Sequence, residues 1–244
     1  MKSTYLILGA SSDTCISYLE HLDKKGESCH IIAFCYSSPE RLDDLQFENI
    51  TIQTIVCDLS NSKALEKRVS ELIESDVNIT HVLHFAAGKL IYEKASKFSA
   101  ERLTENFRIQ VCAIAIVLKY VLPKMKKQKF GRVVITTSSC TIGTPPKYMS
   151  EYTIVKYALV GLIKSYAAEY FGKNVTVNGI APAMMETRFW NEVSPHIAEL
   201  NRNVQPQKKC IPPQEIHACI DYLCSESASF VTGENINLSG GQVM

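Results

Sequence analysis

A tyrosine and a lysine four residues apart are the side chains in this sequence best placed to do chemistry together. Tyr152 and Lys156 lie in the stretch YTIVK, and on an α-helix this spacing puts both on one face. A nearby ammonium group favours the ionised phenol, so the pair could pass a proton to a substrate oxygen. Ser139 lies 13 residues before Tyr152, directly after an apolar run, and could donate a hydrogen bond to the same oxygen.

The elements that must position these residues are short apolar runs that alternate with stretches of helical periodicity. The predicted strands are residues 5–8, 30–35, 51–57, 81–86, 132–137, 175–180 and 235–238. The predicted helices are residues 12–25, 39–46, 61–75, 98–127, 151–172 and 213–225, with an irregular segment at 184–213. Strands joined by crossover helices pair in parallel, so the predicted fold class is α/β, with a doubly wound sheet of about seven strands.

Composition narrows the classes of function. The 244 residues are 46% hydrophobic and 21% charged, which fits one domain over residues 1–244. The formal net charge is +1, which argues against nucleic acid as a partner. The longest apolar stretch, 111–118, is far shorter than the roughly 20 residues of a membrane span, so no membrane partner is expected. The nine cysteines include no C-x-x-C pair, which is typical of a reducing cytoplasm. His81 and His84 face opposite sides of a predicted strand, so no metal site is expected.

The loop after the first predicted strand is where a doubly wound sheet would bind a ligand. It contains Gly9, Ser11, Ser12 and Thr14 and leads into a predicted helix. Backbone N–H groups at such a helix start can bind a phosphate, but a glycine followed by serines also makes an ordinary tight turn. On its own, the loop leaves both interpretations open.

Further motifs stand in a fixed order around this loop and the tyrosine. They are FAAG at 85–88, Asn106, the Ser139, Tyr152 and Lys156 set, NGIAPAMMET at 178–187 and FVTGENINLSGG at 230–241. In this order they resemble the short-chain dehydrogenase/reductase family, and within it the single-domain branch that includes the 3-oxoacyl-carrier-protein reductases. The resemblance covers the whole chain. It implies a Rossmann-type fold and an NAD(P)-dependent oxidoreductase that interconverts a ketone, such as a 3-oxoacyl thioester, and a secondary alcohol.

The resemblance also implies roles for single residues. Tyr152 would donate the proton, Lys156 would assist it and bind the nicotinamide ribose, and Ser139 would bind the substrate oxygen. Asn106 would hold a water molecule that connects Lys156 to solvent. The residues implied in cofactor binding are Gly9, Ser11, Ser12, Asp13, Thr14, Tyr36, Ser37, Ser38, Arg41, Asp58, Leu59, Ala86, Ala87, Gly88, Tyr152, Lys156, Pro182 and Thr187. Residues 184–213 would form a lid over a small carbonyl or alcohol substrate, and the helices at 98–127 and 151–172 would assemble the chain into a homotetramer or dimer.

The first loop departs from the family pattern T-G-x-x-x-G-x-G. Gly9 is kept, whereas Leu8, Asp13 and Cys15 replace the other three residues. A carboxylate about 5 Å from a diphosphate charge would cost roughly 1–3 kcal/mol, which would weaken a micromolar complex worth about 8 kcal/mol without abolishing it. Asp13 could instead cap the helix start. The alternative function is therefore a non-enzymatic Rossmann-fold binding or regulatory protein, with dinucleotide binding impaired by Asp13 and Cys15.

The residues after the second strand indicate which dinucleotide is preferred. An acidic residue there would hold the ribose 2′-hydroxyl of NAD, but this sequence has Tyr36, Ser37 and Ser38, followed by Arg41. These residues could bind a 2′-phosphate, or the serines could cap the next helix with Arg41 in solvent. NADP(H) is therefore favoured over NAD(H). Asp58, after the third strand, would contact the adenine ring or cap the following helix.

Overall fold

Seven parallel strands form one sheet in the computed structural model, which describes residues 3–190 and 195–244. The strands are Ser3–Leu8 (β1), Cys29–Cys35 (β2), Ile50–Val56 (β3), His81–His84 (β4), Gly131–Thr136 (β5), Val175–Pro182 (β6) and Asn235–Leu238 (β7). Their order is β3-β2-β1-β4-β5-β6-β7, with every neighbouring pair parallel. The predicted α/β doubly wound sheet is confirmed. The strand order reverses between β1 and β4, which opens a crevice at their carboxyl ends.

Helices cover both faces of this sheet. They are Asp13–Lys24 (α1), Glu40–Asp43 (α2), Ser62–Glu74 (α3), Ala100–Phe107 (α4), Ala113–Gln128 (α5), Ser150–Tyr170 (α6), Pro195–Val204 (α7) and His217–Cys224 (α8). Alternate residues of β1 point to opposite faces: Leu6 and Leu8 join the core formed with α3, α5 and α6, whereas Tyr5 and Ile7 join the core formed with α1 and α8. Burial on both sides explains why the strands are almost continuously apolar.

Three predicted segments differ from the structure. The predicted helix at 98–127 is two helices, α4 and α5, joined by a π-helical turn at Arg108–Cys112. The predicted helix at 213–225 begins as a 3₁₀ turn, Pro213–Ile216, before α8. The segment at 184–213 was expected to be irregular, which was wrong for its second half: it contains α7, which begins at Pro195, and proline is favourable at the first position of a helix. Residues 191–194 of this predicted lid lie outside the described residues.

The combined stretch Ala100–Gln128 is, among the described residues, the one helix long and apolar enough to cross a membrane by length and composition. Its apolar character has a local explanation. Ile114, Val117 and Leu118 are fully or almost fully buried in the core beside α3 and α6. A core helix packed on several sides has this composition as well.

Candidate active site

A cleft of about 690 Å³ opens at the carboxyl ends of β1 and β4. Most of the predicted site residues line it: Gly9, Ser11, Ser12, Asp13, Thr14, Tyr36, Ser37, Ser38, Asp58, Leu59, Ala86, Ala87, Ser139, Tyr152, Lys156, Pro182 and Thr187. Three do not: Arg41, Gly88 and Asn106. Arg41 nevertheless reaches the loop at the cleft, because its guanidinium donates to the backbone carbonyl of Ser11.

Gly9 lets the first loop lie against the chain after β4. Its φ is +77°, and a Cβ placed there would come within 2.5 Å of the Ala86 nitrogen. The N–H groups of Gly9 and Ala10 both donate to the Phe34 carbonyl at 3.0 Å, which holds the loop across the end of the sheet. No other residue type fits this position without strain. The result is a flat backbone surface directly before α1, which suits the close approach of a phosphate-bearing cofactor.

Asp13 lines the cleft but does not cap α1, and Cys15 lies away from the cleft. Ser12, not Asp13, is the N-cap of α1, and its side chain accepts a hydrogen bond from the Cys15 N–H at 3.2 Å. The Asp13 carboxylate instead binds Arg41 and Arg188. Cys15 is completely buried in the core beneath α1 and does not line the cleft. The space beside the loop is therefore not narrowed by the thiol.

Asp58 does not cap a helix either. Its carboxylate accepts hydrogen bonds from the Ser60 N–H at 2.9 Å and the Ser60 hydroxyl at 2.8 Å. Asn61 is the N-cap of α3, through the Ala64 N–H. Asp58 thus shapes the turn that follows β3, and it is among the residues that line the cleft.

Tyr152 and Lys156 lie on the first turns of α6 and face the cleft together. The Lys156 Nζ lies 5.6 Å from the centre of the Tyr152 ring and donates to the Thr136 carbonyl at the end of β5, at 3.0 Å. Lys156 is only 3% exposed, and burial lowers its pKa to about 8. The amine is therefore still largely protonated at neutral pH.

The surroundings of the Tyr152 phenol favour its protonated form. Burial raises its pKa and the Cys140 thiol raises it further, whereas hydrogen bonding by the Ser138 hydroxyl lowers it. Ser138 therefore lies close to the phenol, and the predicted Ser139 lines the same cleft as the first residue of the 3₁₀ turn Ser139–Thr141.

Asn106 is not brought next to Lys156 either. Its amide donates to the Arg102 carbonyl at 3.2 Å, and its oxygen lies over Gly88. The buried amide in this region is Gln110, which is 2% exposed within the π-helical turn and whose Oε1 has no hydrogen-bond partner among the described residues. Such turns are frequent at functional sites.

His84 is a second buried polar side chain in this region. Its ring is completely buried, and neither ring nitrogen has a side-chain or backbone hydrogen-bond partner within the described part of the chain. Burial and the charge of Lys156 lower the pKa of His84 to about 3, so the imidazole is neutral. A buried polar cluster, consisting of His84, Gln110 and Lys156, therefore stands behind the phenol. A single polar residue inside the apolar run of 109–114 was the available sequence signal for Gln110.

An aromatic and aliphatic surface covers Tyr152 on its solvent side. Leu90 and Met149 are buried there, and Tyr92, Phe189 and Trp190 pack against them. The Phe189 and Tyr152 rings are 6.2 Å apart, centre to centre. The Tyr152 ring therefore lies beside an apolar surface of the cleft.

Comparison with known proteins fits this geometry. Residues 21–242 match the family model described as enoyl-(acyl carrier protein) reductase. The chain belongs to the short-chain dehydrogenase/reductase family. The matched range begins after the altered first loop, which is the part of this family member that departs from the pattern.

Relatives in this family are oxidoreductases. The chain is 29% identical over 201 residues to mouse dehydrogenase/reductase SDR family member 4, covering 81% of this chain and 71% of the relative. It is 26% identical to the 3-oxoacyl-[acyl-carrier-protein] reductase FabG of Rickettsia bellii, covering 99% and 97%. Like them, it is an NAD(P)-dependent oxidoreductase.

Solved family structures superpose along almost the whole chain. The NADP-bound 3-oxoacyl (acyl-carrier-protein) reductase of Agrobacterium tumefaciens is 25% identical with a TM-score of 0.84, covering 98% of this chain and 93% of its own. A 4-hydroxyisoleucine dehydrogenase mutant in complex with NADH and succinate is 26% identical with a TM-score of 0.87, covering 98% of each. A nicotinamide dinucleotide cofactor is therefore supported, in either form.

Proposed function

We propose that the chain is an NADP(H)-dependent enzyme that interconverts an apolar ketone and a secondary alcohol, with Tyr152 as the proton donor. The observation that carries this proposal is the convergence of Tyr152, Ser138 and Lys156 on one wall of the cleft. A carbonyl oxygen in contact with Tyr152 and Ser138 would meet two hydroxyl groups and a nearby ammonium group.

The described residues fit a dinucleotide. Gly9 and the start of α1 suit the diphosphate, and Asp58 with Leu59 suit the adenine end. No acid stands directly at the end of β2, and Ser37, Ser38 and a nearby Arg41 favour a 2′-phosphate, and hence NADP(H). When bound, the nicotinamide supplies or accepts the hydride.

The proton is held at the Tyr152 hydroxyl. Burial keeps this phenol protonated, which is the state that reduction of a carbonyl requires. The Ser138 hydroxyl orients the phenol, and the positive charge of Lys156 stabilises the phenolate left after proton transfer. The buried amide of Gln110 and the neutral His84 are placed to support Lys156, the task predicted for Asn106.

The surface around Leu90, Met149, Phe189 and Trp190 supports an apolar substrate. A polyol or a charged acid would leave polar groups unpaired against these side chains. A 3-oxoacyl thioester fits this wall and agrees with the name of the Rickettsia relative. Residues 184–213 would cover such a substrate as a lid.

We also propose that the enzyme is a single-domain cytoplasmic homotetramer or dimer. Ile154 and Tyr157 are about half exposed on α6, and apolar side chains of this kind are suited to a contact with a second copy. The sequence has no C-x-x-C pair, which fits a reducing compartment. Light scattering of the purified protein tests the assembly, and a monomer at working concentration would contradict it.

Two measurements test the enzymatic proposal. Nucleotide fluorescence gives the affinities for NADPH and NADH, and we expect saturable binding of both with NADPH tighter by about tenfold or more, the factor for about 1.4 kcal/mol. Absorbance of NADPH at 340 nm then follows reduction of a panel of 3-oxoacyl thioesters and other apolar ketones. Absence of saturable binding would refute the proposed function.

A further inference from the structure

The residue that interrupts the glycine pattern, Asp13, is bound by two arginines from different loops. Its Oδ2 accepts a hydrogen bond from the Arg188 backbone N–H at 2.6 Å, and its Oδ1 accepts one from Arg188 Nε at 3.0 Å. Arg41, in the helix that follows the β2 loop, donates from Nη2 to the same Oδ1 at 2.8 Å. Three segments around the cleft therefore meet at one carboxylate on the first residue of α1.

The cluster of Asp13, Arg41 and Arg188 has a net positive charge, because two guanidinium groups surround one carboxylate. Partial burial by itself would raise the pKa of Asp13, but the hydrogen bonds from Arg188 and the charges of Arg188 and Arg41 outweigh it and hold the pKa below its usual value. The carboxylate is thus ionised near neutral pH and paired with both arginines. An incoming phosphate meets a net positive charge here and not an isolated carboxylate.

The two guanidinium groups also have donors to spare. Arg41 donates to the Ser11 carbonyl, and Arg188 Nη2 lies 3.5 Å from the same oxygen. A guanidinium has five N–H donors, more than these contacts use within the described part of the chain. Both groups are held at the loop that carries Ser11 and Ser12, and Arg188 itself lines the cleft.

Arg188 ties this charge cluster to the segment over the catalytic residues. It begins the 3₁₀ turn Arg188–Trp190, and its neighbours Thr187 and Phe189 both line the cleft. The other side of the segment is fixed to Ile211, whose carbonyl accepts from the Glu186 N–H at 3.0 Å. Because Asp13 binds the backbone N–H of Arg188 as well as its side chain, it fixes the main chain between Thr187 and Phe189.

We propose that Asp13 is a positioning residue that orients Arg41 and Arg188 toward the phosphate groups of the dinucleotide and fixes the Thr187–Phe189 segment over the cleft. The aspartate builds the phosphate site that the second glycine of the family pattern would otherwise provide. This inference rests on the proposed function, since it requires that a dinucleotide binds.

Dinucleotide affinity of the apoprotein tests it directly. We expect Asp13→Asn, which keeps the shape and removes the charge, to raise the Kd for NADPH about tenfold, the effect of about 1.4 kcal/mol. Asp221→Asn is the matched control, because Asp221 pairs with Lys25 and His21 far from the cleft. It should leave the Kd unchanged.

The double variant separates positioning from simple charge. Because Asp13 acts partly through Arg188, Asp13→Asn should weaken NADPH binding by a smaller factor in the Arg188→Ala variant than in wild type. Thermal denaturation of each apoprotein shows whether a variant is still folded. The Tm of Asp13→Asn should stay within a few degrees of wild type while its Kd changes. Equal or tighter binding by Asp13→Asn, or additive effects in the double variant, would overturn the inference while leaving the proposed function intact. Absence of binding by the wild type would instead remove the proposed function, and this inference with it.

Discussion

Burial of Lys156 carries a stability cost that replacing the residue should remove. Its pKa is about 8 in the folded protein, against 10.5 for an ordinary lysine, because burial disfavours the ammonium. Between these values the unfolded chain binds more protons than the folded one, so stability rises with pH. The cost is absent well above pH 10.5, grows as the pH falls and is complete below pH 8. It amounts to about 3 kcal/mol at pH 7 and about 1 kcal/mol at pH 10.

Lys156→Met replaces the amine by an apolar side chain of similar length. It also removes the hydrogen bond to the Thr136 carbonyl, worth about 1 kcal/mol. We therefore expect the variant to be more stable than wild type by about 2 kcal/mol at pH 7 and about equally stable at pH 10. Turnover should be lost, because the charge beside Tyr152 is gone.

Urea unfolding of both apoproteins at pH 7 and pH 10 measures the difference in their free energies of unfolding. The contributions of other titrating groups are the same in both proteins and cancel from this difference. Lys164→Met is the control, since Lys164 lies two turns along the same helix on the surface, with its amine near the Gly233 carbonyl. It should show no gain at pH 7. If Lys156→Met is no more stable than wild type at pH 7, burial of the Lys156 ammonium does not destabilise the fold. The same conclusion follows if the variant gains the same free energy of unfolding at pH 7 and at pH 10.

Four further substitutions test the site. Tyr152→Phe should remove turnover, measured by NADPH absorbance, and leave the Kd for NADPH unchanged; a fully active variant would exclude Tyr152 as proton donor. Gly9→Ala should lower the free energy of unfolding, measured in urea, by about 2–5 kcal/mol. The added Cβ would meet the Ala86 backbone, and residue 9 has a positive φ. Wild-type stability of this variant would mean that the loop moves freely. Gln110→Ala should lower kcat by about tenfold or more with NADPH binding retained, whereas Asn106→Ala should stay active; the reverse result would return the role to Asn106.

The sheet was predictable because its strands are buried on both faces. Continuous apolar runs such as the one that contains Leu6 and Leu8 have few alternatives in a chain of this composition. The π-helical turn was not predictable, since the hydrophobic periodicity on either side fits one regular helix. Helix α7 was missed although Ile197, Leu200 and Val204 recur at helical spacing and Pro195 gave a start signal.

Residue spacing predicted which site residues lie together only where they share one helix. It did not predict how residues on either side of an irregular segment meet. Tyr152 and Lys156 are four residues apart on α6, so their common face follows from helix geometry. Ser138 and Ser139 are separated from α6 by residues 140–149, whose path no residue count determines. The contacts of Asp13 with Arg188 join residues 175 apart in the sequence, so only the folded chain reveals them.

The π-helical turn at Arg108–Cys112 also limits how the chain length can change there. A residue advances an α-helix by about 100°, so the extra residue in this turn sets α4 and α5 out of phase by about that angle. Deleting one residue would restore a regular helix but rotate α4 about its axis, and Arg102 would swing away from Glu151, which it now meets at 2.9 Å. Insertions and deletions should therefore destabilise the protein more in the π-helical turn than in the loops before α4 and after α5.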